Sequence, residues 1–285
     1  MQGPIAQIVA LTIAGNAALK GKSVSGFWPG CSVFRHNQRV DFAIVEKTGD
    51  APIERPYAAD PVEWFGKLAE RGILSLVLHH ATERDDDRKF VGLVGGGGRW
   101  LMEARTDGPA SDYWEGRWSF SEASQPGAGK WLTRYGRIAE NWDRIANVAP
   151  AIEQMRSELE RQLSEIAAFA DREVDKHWGD WFRKGLAALR DPNPLHDNFH
   201  HDIDWTHSLP LAYVQSLAGV MKGWAFGGMG SWNDTGPRRK EMLNEYENRT
   251  ERLYCLMIEI AVAVANFGVS DPPANPIGFR SRTLA

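Results

Sequence analysis

The sequence predicts an α+β fold: a mainly antiparallel sheet with one or two helices, followed by a C-terminal bundle of three to four helices. Two observations carry this. Up to about residue 147, short β-type runs alternate with turn residues; beyond it, apolar residues recur at helical spacing over long stretches. The chain therefore divides into residues 1–147, rich in β-structure, and residues 148–285, helical, at a total length that one domain could also accommodate.

The first element reads as a helix. Ile5, Ile8, Val9 and Thr12 repeat at helical steps, Pro4 suits a first turn, and Gly21 follows the end. The alternation of Val9, Leu11 and Ile13 leaves a strand open there. Residues 32–36 and 40–46 read as a hairpin about Asn37 and Gln38. Asp60 then caps a helix that Pro61 opens, Trp64 and Leu68 stripe, and Gly72 ends. Residues 73–79 form an apolar strand. Residues 89–94 and 99–105 read as a second hairpin across Gly95–Gly98, because glycine supplies the positive φ of tight turns. Strands at 113–120 and 131–138 flank a Ser/Gly/Pro-rich loop at 121–130, and the acidic run 85–87 reads as a solvated turn.

After Pro150, the positions Ile152, Met155, Leu159, Leu163 and Ile166 define one long amphipathic helix to about residue 176. Gly179 is expected to bend or break it before 181–189, and Asp191-Pro-Asn-Pro ends it. A polar stretch at 195–208 leads to a helix over 210–224. Pro237 then opens the last helix, running to about 267 with Glu259 facing outward. The apolar part of that helix, 253–267, is too short to span a bilayer.

Composition narrows the function classes. The chain is 43% hydrophobic and 25% charged with a net charge of −4, so it can bury a core without disulfides or a structural metal. No basic stripe could neutralise a run of phosphates, so neither a nucleic-acid partner nor a membrane is expected. Cys31 and Cys255 match no metal spacing and suggest a reducing, cytoplasmic setting. No Lys or Arg precedes the apolar first segment, as a signal peptide would require. Nucleophile-elbow, P-loop, Rossmann, zinc-finger and EF-hand patterns are all missing. The four glycines at 95–98 lead into a strand, which suits a turn better than a phosphate cradle.

Two clusters remain as candidate sites. His177, His196, His200, His201 and His207 fall close together with Asp202 and Asp204, and imidazole with carboxylate suits Zn, Mn or Fe. Such a set could serve a metal-dependent hydrolase. The pair His201-Asp202 resembles the central dipeptide of the HD phosphohydrolases. That family also uses an upstream His and a downstream Asp, for which His177 and Asp234 would stand, but it carries the pair on a helix. Here the pair lies in a loop-like stretch.

The second cluster is the glycine-aromatic segment 223–234. Its Trp224, Phe226, Trp232 and Asp234 could wall a site for a ligand or a protein partner, in a chain with 12 tryptophans. With no catalytic pattern present, a non-enzymatic binding protein using this aromatic surface ranks first and the metal-dependent enzyme second.

Overall fold

Helix α1, Gly3–Leu19, is apolar on every side, and in the computed structural model it is buried without a break from Ile5 to Ala17. A helix without a polar face belongs in the middle of a core, which settles the strand alternative. The structure describes residues 1–48, 51–84, 86–93, 96–121, 130–147, 151–228 and 230–269. Helix α1 packs against the sheet on one side and the C-terminal helices on the other.

The sheet has six strands: β1 Asn37–Thr48, β2 Ala51–Ala58, β3 Ser75–Ala81, β4 Arg99–Arg105, β5 Ala110–Phe120 and β6 Trp131–Asp143. Their spatial order is β2-β1-β6-β5-β4-β3. All neighbours are antiparallel except β1 and β6, which run parallel with Asn37 beside Trp131. The sheet is thus mixed rather than purely antiparallel, and its one parallel pair places two strand starts side by side.

On the helix-facing side, Phe42, Trp64, Trp114 and Tyr135 form an aromatic stack, with Phe42 and Trp64 at 4.2 Å between centroids and Trp64 and Trp114 at 5.3 Å. Burying each such ring is worth about 1.5–3 kcal/mol. Phe27–Gly30 is a short turn, α2, and helix α3, Pro61–Glu70, supplies Trp64. Asp60 accepts the amides of Val62 and Glu63, and Gly72, at φ 73°, ends the helix.

Two hairpins differ from the sequence expectation. Ser32–Phe34 is a tight 3-10 turn with all three residues buried, and Asn37 and Gln38 already belong to β1. The partner of β1 is β2, which carries Pro52 and Pro56 and no apolar alternation. An edge strand tolerates both features, because one row of its peptide groups pairs with nothing.

Residues 89–93, the described part of the expected strand, are not a strand. Asp87–Phe90 is a single helical turn, α4, and β4 pairs with β3 and β5 instead. Asp87, expected in a solvated turn, is buried and accepts the Glu83 amide at 2.8 Å. Asp85, Val94 and Gly95 lie outside the described residues, as does most of the 121–130 loop.

At the other edge, β3 is closed by side chains. Asn16 of α1 exchanges hydrogen bonds with the Leu76 carbonyl and amide at 2.9 and 2.8 Å. Asn266 does the same for Leu78 at 2.9 and 2.6 Å. Both asparagines therefore occupy peptide groups that would otherwise invite another strand.

The helical half comprises α5 Ile152–Glu173, α6 Lys176–Ala188, α7 Leu211–Gly223 and α8 Leu243–Ala265. The break between α5 and α6 falls at Val174–Asp175, where Asp175 caps the new helix, and Gly179 lies inside α6. That glycine lets α6 approach α5: a Cβ there would sit 1.9 Å from Asp171 Oδ1. Helix α8 starts at Leu243, later than Pro237, after a 3-10 turn over Lys240–Met242, and Glu259 is exposed as expected. One apolar core runs through both halves. No helix among the described residues is long and apolar enough to cross a membrane.

Candidate functional site

The paired starts of β1 and β6 open onto a cleft of about 340 Å³ beside the first turn of α1. Six stretches of chain build it. Helix α1 contributes Gln2 and Gln7, the 3-10 turn contributes Ser32 and Val33, and His36 and Asn37 lead into β1. Trp118 of β5 and Trp131 of β6 form an aromatic wall. Val91–Leu93 and Phe199–His200 close the remaining sides.

The floor is an uncharged hydrogen-bond chain. Buried Tyr135 donates to Gln7 Oε1 at 3.1 Å, Gln7 Nε2 donates to Asn37 Oδ1 at 3.0 Å, and Asn37 Nδ2 donates to Thr133 at 2.7 Å. Such a chain fixes both carboxamides while each keeps capacity for a further partner. None of the side chains lining the cleft is an Asp, Glu, Lys or Arg. A smaller cavity of about 90 Å³ adjoins it, sharing Gln2, Pro4, Val91, Leu93 and Trp118 and reaching the paired Arg99 and Glu115.

The 195–208 stretch reaches the cleft through His200 and Phe199. The Asp202 carboxylate accepts the Ser32 backbone amide at 2.9 Å, and the Ser32 hydroxyl as well. Ser32 Oγ also lies 3.5 Å from His200 Nδ1. These three residue types recur in hydrolases, but the arrangement differs: a nucleophile needs a histidine between it and the acid. Here the serine stands between the two, its hydroxyl engaged by the carboxylate. Burial also lowers the His200 pKa to about 4, so the ring is neutral and weakly basic near pH 7. The cluster ties the 3-10 turn to the 195–208 stretch. The neighbouring Cys31 is no better a nucleophile, since burial pushes its thiol up to about 12.

The predicted histidine cluster does not converge. His177 is exposed on α6 beside Trp178 and Trp181. His196 is exposed and pairs with Asp197, and His201 and His207 are exposed as well. Asp204 is spent on the amides of Ser208 and Leu209, at 2.8 and 3.1 Å. Glu173, one turn before His177, instead meets Arg239 at 2.8 Å. Among the described residues, no three His, Cys, Asp or Glu side chains group so that they could hold Zn, Mn or Fe. Polar side chains in a turn-rich connection satisfied local backbone groups, which is what Asx residues do wherever a chain bends.

The aromatic segment also differs from the expectation. Trp224, Phe226 and Trp232 are all buried, and the Trp232 indole donates to Thr250 at 2.8 Å. Asp234 closes a capping box with Ser231. These residues form core rather than an open surface.

The segment nevertheless supports the cleft. Gln2 Nε2 donates to the Phe226 carbonyl at 2.9 Å, and a Cβ on Gly92 would lie 2.6 Å from Gly227 Cα. The glycines permit this close approach, which seats the 91–93 turn.

Sequence reasoning missed Gln7, Ser32, Asn37, Trp118, Trp131 and Phe199 as site residues. One signal was present for Phe199, a lone aromatic amid His, Asp and Asn. No family model, curated protein or solved structure matches this chain.

Proposed function

We propose that the protein is a binding protein that holds an uncharged, partly aromatic group in the cleft beside α1 without converting it. The observation that carries this reading is the lining: two tryptophans and a fixed carboxamide chain around about 340 Å³, with no Asp, Glu, Lys or Arg side chain. Pockets of this size, with apolar walls and a few convergent polar groups, suit small ligands or a single large side chain. A cationic group entering here would lose its hydration without meeting a carboxylate in the lining. The Ser32–His200–Asp202 arrangement supports wall-building over catalysis, for the reasons of order and basicity given above. The two cysteines are free thiols, which fits a reducing compartment such as the cytoplasm.

A titration with neutral N-acetyl-tryptophanamide and nicotinamide, against cationic tryptamine, tests the reading. Indole N–H resonances report where each probe sits. The neutral probes are expected to move Trp118 and Trp131, and the cationic one to leave them in place. Shifts at other tryptophans, or a preference for the cationic probe, would overturn the reading.

A further inference from the structure

We infer that the occupant of the cleft is a segment of another protein, acidic around one large uncharged side chain. This rests on the binding reading above and names its partner. The mouth of the cleft is apolar and open: Leu93 is 63% and Phe199 55% exposed, and Phe120, 58% exposed, leans on Trp131 at 5.3 Å. A small ligand inside the cleft would leave these rings in water. A chain segment lying across the mouth would cover them, and open apolar surface around a pocket marks such contacts.

Phe199 is also held in place before any partner arrives. Arg35 lies over its ring at 5.0 Å, and His36 stacks parallel to it at 6.3 Å. An aromatic ring braced by a cation loses little conformational freedom on binding, and aromatic and Arg residues dominate the energetics of protein interfaces.

Charge gives the partner its sign. On the sheet, Arg39, Arg55, Arg99, Arg117 and Arg134 each meet a carboxylate. Arg35 and Lys130 are exposed and meet none among the described residues. The Trp131 amide donates to the His36 carbonyl at 2.9 Å, so the backbone positions that carry Arg35 and Lys130 are neighbours at the strand starts beside the cleft. Exposed cations beside an apolar mouth favour a partner that brings carboxylates. The cleft takes the anchor side chain; the rim takes the acids.

Panning a displayed library of random peptides against the full chain tests this. Enriched peptides should carry one large uncharged side chain among Asp and Glu and compete with N-acetyl-tryptophanamide. Their affinity should fall roughly tenfold further than that for the amide in the Arg35→Glu/Lys130→Glu variant. Phe199→Asp should weaken the peptides further. All three positions are exposed, and an unaltered melting curve confirms that each variant is folded.

Enriched peptides without acidic residues, or indifferent to the charge reversal, would overturn the inference. So would a library that yields none while the amide still binds, an outcome that spares the binding reading. Failure of both probes would sink the two together.

Discussion

In the 224–234 segment the aromatic rings are buried, and both indole N–H groups end inside the protein, Trp224 on the Phe226 carbonyl and Trp232 on Thr250. At the cleft the opposite holds. Phe199 stays more than half exposed, with Arg35 over its ring and His36 stacked parallel to it. The two regions show what separates a structural aromatic from a recognition aromatic. In the first, the polar handle is satisfied internally and the faces are covered by neighbours. In the second, polar neighbours orient the ring and leave more than half of the residue exposed.

The largest test of the contrast is Trp232→Ala. Removing a fully buried ring leaves a large cavity, so the loss should be about 3–5 kcal/mol in urea unfolding. A loss below about 1 kcal/mol would show that this segment is not core. Phe199→Ala should change stability by no more than about 0.5 kcal/mol, because an exposed ring leaves no cavity. Its effect belongs in binding.

Asp202→Ala probes the wall between these extremes. The Ser32 amide loses its charged acceptor, which should cost about 1–3 kcal/mol. Affinity for the neutral probe should fall with it. Stability lost with affinity kept would mean that Asp202 does not position the wall.

A smaller effect comes from pH. His200 has an ordinary value of 6.5 and, through burial, about 4 in the folded chain. Between those values the unfolded state binds the proton and the folded state does not. Stability should therefore fall as pH drops from 6.5 towards 4. In His200→Asn that slope should become shallower. Part of it should persist, since burial also lowers His80. An unchanged slope in the variant would show that His200 is not the group responsible.

Much of the fold was legible because it rests on periodicity. The α1 pattern, the cap at Asp60, strand β4 and the long α5 stripe each appear where the sequence places them. Edge strand β2 was not legible, since a strand paired on one side needs no apolar alternation. Gly179 was misread as a break because a glycine for close approach and one for a turn look alike in sequence.

The site was harder to read than the fold. The 195–208 stretch was singled out for its histidines, of which only His200 lines the cleft, with Phe199 beside it. Sequence alone determined the two-part α+β plan and the polar 195–208 connection, because these depend on local spacing and hydrophobicity. Only the tertiary structure decided which aromatics are covered and that Gln7, Ser32, Asn37, Trp131 and His200 share one cleft. That convergence follows from the parallel pairing of β1 with β6, a contact between distant segments that no local pattern encodes.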